Sequence, residues 1–155
     1  MAECVLNCPI DRCFQGPPVV CADADVIEKG QIETIGTSAA ATVSMLVVAA
    51  GAADGLTQRT ADAAAGVPAR PDRWAPLFTV EDCTVDKLAG DDAIAAGTQL
   101  WFSEDDNCFT TDIANIDASG VCFPAAQAIE LSNDVDDTVR VTFDGRLVTG
   151  VAGTG

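Results

Sequence analysis

The chain of 155 residues contains no histidine and no tyrosine, and its two lysines and six arginines stand against 24 carboxylates. Each shortage closes off a class of chemistry. Without imidazole there is no Ser-His or Cys-His nucleophile pair, no histidine general base and no histidine metal ligand. A net charge of −16 with no cluster of Lys and Arg leaves nothing for counterion-releasing phosphate contacts, so no direct nucleic-acid partner is expected. An anionic membrane surface is equally unattractive to it. The acid excess reads first as solubility and self-repulsion between copies, and second as a hydrated surface or one that docks on a basic partner. The two lysines, Lys29 and Lys87, stand in polar, acidic contexts that suit surface ion pairs.

Long apolar runs are missing as well. The longest, residues 45–53, is far too short to span a bilayer, and residues 1–4 lack the basic start and apolar run of a signal peptide. A chain made in the cytoplasm is the expectation. No GxxxxGK(S/T) or GxGxxG is present to cradle a phosphate. The acidic turns at 104–106 and 134–137 lack the alternating ligands, central glycine and distal glutamate of an EF-hand loop, and read as solvated turns. Nothing selects a glycosidase pair from 24 carboxylates. The residues nominate no catalytic set and no cofactor, so a non-enzymatic protein is expected.

Cysteine, by contrast, is abundant. Of seven, four fall near the start, Cys4, Cys8, Cys13 and Cys21, in the spacing C-x3-C-x4-C-x7-C. Three readings compete. The cluster can pin an arm by disulfides in an oxidising medium. It can serve as small buried hydrophobes. Or Cys4, Cys8, Cys13 and Cys21 can ligate a metal or an iron–sulfur cluster, for which the count is right but the C-x2-C knuckle is missing. The odd total leaves a thiol over, or one that pairs between molecules.

The length fits one domain. With six Phe, two Trp and much Ala, the composition suggests a thin core of Val, Ile and Leu, of the kind that goes with an assembly burying the rest. Residues 1–25 read as an irregular arm broken by Pro9, Gly16, Pro17 and Pro18, with Val19 and Val20 in one short strand that adds to a neighbour. Residues 26–155 read as a β domain. A strand pair is expected at 26–27 and 32–35, and a buried strand at 41–48. The Asp54-Gly55 hairpin turn, a strand at 56–60 and a helical turn at 61–66 follow. Pro68, Pro71 and Pro76 then frame a stiff loop carrying Arg70, Arg73 and Trp74. This loop is either a contact surface or a place where Trp74 caps the core and the arginines pair with local acids. Strands are expected at 77–80 and 84–85, and again at 93–102, 108–111 and 137–143, with an acidic turn at 103–107.

The run 91–102, in which Ala93, Ile94, Ala95, Ala96 and Gly97 lead into a strand through Trp101 and Phe102, resembles a signature of small capsid decoration proteins of tailed bacteriophages. The acidic turn and the return through Cys108, Phe109, Thr110 and Thr111 are similar to that family's hairpin. Gly120 and Val121, the Ala-rich piece 125–128 and the final Val139-Arg140-Val141 resemble its closing element. The likeness covers residues 91–146; the Cys-rich arm departs from it. It implies a small β-barrel or β-tulip-like domain that acts as a cement protein on the outer surface of the virion. In that role it is a homotrimer bridging major capsid protein subunits and stabilising the head. A second reading is a surface adhesion module that binds glycans or host cells through Trp74, Arg70 and Arg73. The third is the cysteine-based metal or iron–sulfur protein.

Overall fold

A computed structural model of the protein describes residues 4–15, 30–35, 39–49, 76–88 and 92–155. Strands take up 54% and helices 6% of the described residues, which makes the fold mainly β. The strands are β1 (Cys4–Leu6), β2 (Phe14–Gln15), β3 (Ile32–Ile35), β4 (Val43–Ala49), β5 (Pro76–Asp86), β6 (Gln99–Ser103), β7 (Cys108–Thr110), β8 (Val121–Ala128), β9 (Thr138–Asp144), β10 (Val148–Thr149) and β11 (Val151–Ala152). Two 3-10 turns, Ile10–Arg12 and Ile113–Asn115, complete the set among the described residues.

One antiparallel sheet in the order β10-β4-β5-β9-β8-β6-β7 curls into a half-barrel. Its far end returns to the middle, where a parallel bridge joins Lys87 to Phe109 and the Leu88 N–H donates to the Phe109 carbonyl at 2.7 Å. The expected β class therefore holds, and residues 91–146 supply β6 to β9, which lie side by side in one antiparallel wall of the curl.

β5 organises the rest. Its inward residues are Phe78 and Val80 in the first half but Cys83 and Val85 in the second, a change of phase by one residue. The ladder to β9 absorbs it. Three steps on β5 from Val80 to Cys83 face two on β9 from Phe143 to Val141, so Glu81 and Asp82 form a bulge. Without it, every apolar side chain after Val80 would turn to solvent. The two strands expected at 77–80 and 84–85 are for this reason one.

A second irregularity accommodates Pro124 inside β8. Two steps on β6, Leu100 to Phe102, face three on β8, Ala126 to Phe123. Proline has no N–H for a ladder, and a bulge is where a strand tolerates it.

The sequence suggests a thin aliphatic core, but the centre is aromatic. Phe102, Phe109, Phe123 and Phe143 are fully buried, with the Phe102 and Phe109 rings 5.2 Å apart at 51°. Leu46, Leu77, Leu100, Val80 and Val141 fill around them. Each such side chain contributes about 1.5–3 kcal/mol on burial, so concentrating four of six Phe here offsets the shortage of large residues.

The N-terminal arm is built of short pieces. β1 pairs with residues 83–85 of β5, and β2 with Leu77 and Thr79, on either side of the Ile10–Arg12 turn. At the other end of the chain, Gly153, Thr154 and Gly155 donate to the carbonyls of Gly120, Ile113 and Ile116. The tail is thereby held against the second 3-10 turn, which Asp112 caps by accepting from the Ala114 N–H at 2.9 Å.

Candidate functional site

Ordinary strands put apolar residues inside and polar ones outside. The loop between β8 and β9 does the reverse. Ile129, Leu131 and Val135 are exposed at 40%, 59% and 83%, while Ser132 and Lys87 are buried at 3% and 7%. The cause is a polar anchor. Ser132 exchanges both backbone hydrogen bonds with Ile94, at 2.8 and 2.9 Å, and its hydroxyl donates to the Thr138 carbonyl at 2.8 Å. From the end of β5 the Lys87 ammonium donates to Ser132 Oγ at 3.2 Å and to the Asn133 carbonyl at 2.7 Å. Asp136 accepts from the Asn133 N–H at 2.9 Å and tightens the tip. With Ser132 and Lys87 drawn in, the neighbouring apolar residues are forced out. Lys87 thus makes an internal anchor, not the surface ion pair expected of it.

Beside this loop a small groove of about 240 Å³ runs past Thr84, Glu130, Asp136 and Arg140. Arg140 spans it, forming a two-pronged ion pair with Asp82 on β5 and a longer contact, 3.3 Å, to Glu130. Asp82 is held below the ordinary carboxylate range by the Arg140 hydrogen bond first and by Asn7 of the arm second. The same partner raises Arg140 above its usual value. Asp86 moves the other way, raised by burial and then by Asp137. A second open groove, about 320 Å³, lies over Gln99, Pro124, Gln127 and Thr142.

A further exposed apolar set lies on the arm: Val5, Ile10 and Phe14, at 56%, 47% and 53%. Phe14 leans on Phe78 with ring centroids 5.9 Å apart and carries Arg146 over its face at 5.6 Å. Arg146 is in turn fixed by Asp144, whose carboxyl it holds low.

The contact residues expected from sequence, Val19, Val20, Arg70, Arg73 and Trp74, lie outside the described residues, as does Cys21. Cys4, Cys8 and Cys13 belong to the described arm and pack on the core with Cys83. Among the described residues no group of three or more Cys, Asp, Glu or His side chains is arranged to hold a metal ion. Cys4, Cys8, Cys13, Cys83 and Cys122 are thiols.

Sequence reasoning passed over the 129–135 loop. Its alternation of Ile129, Glu130, Leu131 and Ser132 reads as the end of a strand with the apolar side inward. The missing signal is Lys87, 45 residues from Ser132 in sequence, whose partners only the folded sheet reveals. Comparison with known proteins found no match to a family, to a curated sequence or to a solved structure.

Proposed function

We propose that the protein is a non-enzymatic virion structural protein: a decoration protein that binds the outside of an assembled phage head and clamps neighbouring major capsid protein subunits, working as a homotrimer. The observation that carries the reading is the inverted loop. An apolar trio held outward by a buried ammonium is a preorganised contact surface, and apolar side chains displayed on an anchored loop are the usual means by which a rigid scaffold grips a protein partner. The resemblance of residues 91–146 to decoration proteins supplies the kind of partner. Many copies repeated by symmetry turn weak individual contacts into a stable lattice. The surrounding acids keep unbound copies apart in solution.

The test is binding of the purified protein to expanded heads that lack it, followed by heating. Addition is expected to raise the temperature at which heads release DNA, and Leu131→Asp with Val135→Asp is expected to weaken binding about 100-fold or more, as loss of a central apolar contact does. Heads that neither bind the protein nor gain heat resistance would refute the assignment. Equal binding by the double variant would remove the loop from it.

A further inference from the structure

We propose that Cys8 and Cys13 form a redox site, closing to a reversible disulfide that fastens the N-terminal arm onto β5. Their sulfurs are 4.0 Å apart. The two residues straddle the 3-10 turn, whose hydrogen bonds, Arg12 N–H to Pro9 and Cys13 N–H to Ile10, both 3.0 Å, already draw the ends of the segment together. Reaching a bond of about 2.05 Å requires a sulfur movement of about 2 Å, within the range of side-chain rotation.

Position selects this pair over the others. Cys4 and Cys83 also adjoin, and the Cys83 thiol is raised first by its hydrogen bond with Cys4 and then by burial. These two are 3% and 0% exposed, however, and Cys122 is 0% exposed, so a dissolved reagent does not reach them. Cys8 and Cys13 pack at the edge of the core and remain partly exposed. Burial, and then the adjacent Cys8, push the Cys13 thiol up to about 11. A reduced pair that gains nothing from a stabilised thiolate favours the bonded state, the opposite of a strongly oxidising dithiol.

The reaction is thiol–disulfide exchange with a small-molecule disulfide such as oxidised glutathione. One protein thiolate attacks it and releases a thiol; the second protein thiolate then displaces the other. The Cys8–Cys13 S–S bond forms, the reagent's S–S bond breaks, and two electrons and two protons leave as two small thiols. Among the described residues the arm's hold on β5 is short, three residues of β1 and two of β2. A covalent loop between them restricts the detached arm and shifts the equilibrium towards docking. The inference stands on the arm alone and is independent of the capsid reading.

The experiment treats the full chain with oxidised glutathione at neutral pH and maps the disulfides by mass spectrometry without reduction. The expected product is a Cys8–Cys13 link with a loss of about 2 Da, while Cys4, Cys83 and Cys122 react with alkylating agents only after unfolding. Hydrogen exchange is read at the Asn7 amide, which donates to the Asp82 carbonyl at 2.9 Å. Oxidation is expected to slow it about tenfold, an effect absent from Cys8→Ser and Cys13→Ser. The proposal is overturned if Cys8 and Cys13 stay alkylatable in the native protein after equilibration, if either links to another cysteine, or if the linked protein exchanges Asn7 at the reduced rate.

Discussion

Gly145 is the joint between the two parts of the sheet, and replacing it with alanine should be among the most damaging small changes available. It follows β9, donates its N–H to the Phe78 carbonyl at 2.9 Å and accepts from the Leu46 N–H at 2.8 Å, tying β9, β5 and β4 at one point. A Cβ placed there falls 2.1 Å from the Leu46 carbonyl oxygen and 2.7 Å from its carbon. Both are backbone atoms in a buried strand, so relief requires β4 and β9 to separate by about 1 Å, against a normal contact of roughly 3.2 Å or more. Overpacking of this kind costs about 1–3 kcal/mol. Loss of the two backbone bonds adds about 1 kcal/mol each, so Gly145→Ala should cost about 3–5 kcal/mol. Gly97→Ala is the control. Its Cβ meets nothing within 4 Å among the described residues, but φ is +89°, so only backbone strain of about 1–2 kcal/mol applies. Urea unfolding followed by circular dichroism reads both, and a slope near 2 kcal/mol/M puts the Gly145→Ala midpoint about 2 M lower. A loss no greater than that of Gly97→Ala would show that the joint yields, and would refute the account of the sheet as rigidly pinned there.

Three further outcomes follow from single groups. Thr34 is 6% exposed and its hydroxyl has no hydrogen-bond partner among the described residues; Thr34→Val keeps the shape and should gain about 1 kcal/mol in the same urea assay. The Asp82 carboxyl is depressed by Arg140, so its folded pKa lies below its unfolded one and its stabilisation is fully present above the ordinary carboxylate value of about 3.9. That contribution is lost as pH falls through the depressed folded value, and the melting-temperature gap between wild type and Asp82→Asn, about 2 °C at pH 7 given the partly exposed arginine, should shrink towards zero in strong acid. Asp86 carries the opposite sign: burial and Asp137 raise its folded pKa, so it costs stability once pH exceeds that raised value. Asp86→Asn should therefore raise the melting temperature at pH 7 and leave it unchanged well below pH 4, and a lowered value at pH 7 would reverse the argument.

Most of the β-structure is legible in the sequence because burial on one face prints itself as alternation. Ile32–Ile35, Val43–Ala49 and Thr138–Asp144 lie where branched and aromatic residues predict strands. The acidic run between β6 and β7 is the turn that its composition suggests. The legible signal fails where the ladder itself is irregular. The β5 bulge shifts the apolar phase between Val80 and Cys83, and in one dimension a phase break looks like the end of a strand. Pro124 likewise looks like an interruption until the bulge on β8 is seen.

The candidate site was legible to a smaller degree, for a physical reason. Alternation reports which face is buried only when burial is decided by apolar side chains. Around Ser132 it is decided by hydrogen bonds: four involve its hydroxyl or backbone, one of them donated by Lys87, which donates another to the Asn133 carbonyl. Burying an ammonium without partners is costly, so Lys87 fixes its acceptors wherever the fold places it. Ser132 and the Asn133 carbonyl are those acceptors, and Leu131 and Val135 become exposed as a consequence. The trio is therefore a property of the Lys87 position at the end of β5 more than of the loop's own composition. It follows that a change at Lys87, distant in sequence from every exposed residue of the loop, should alter the display of all three together.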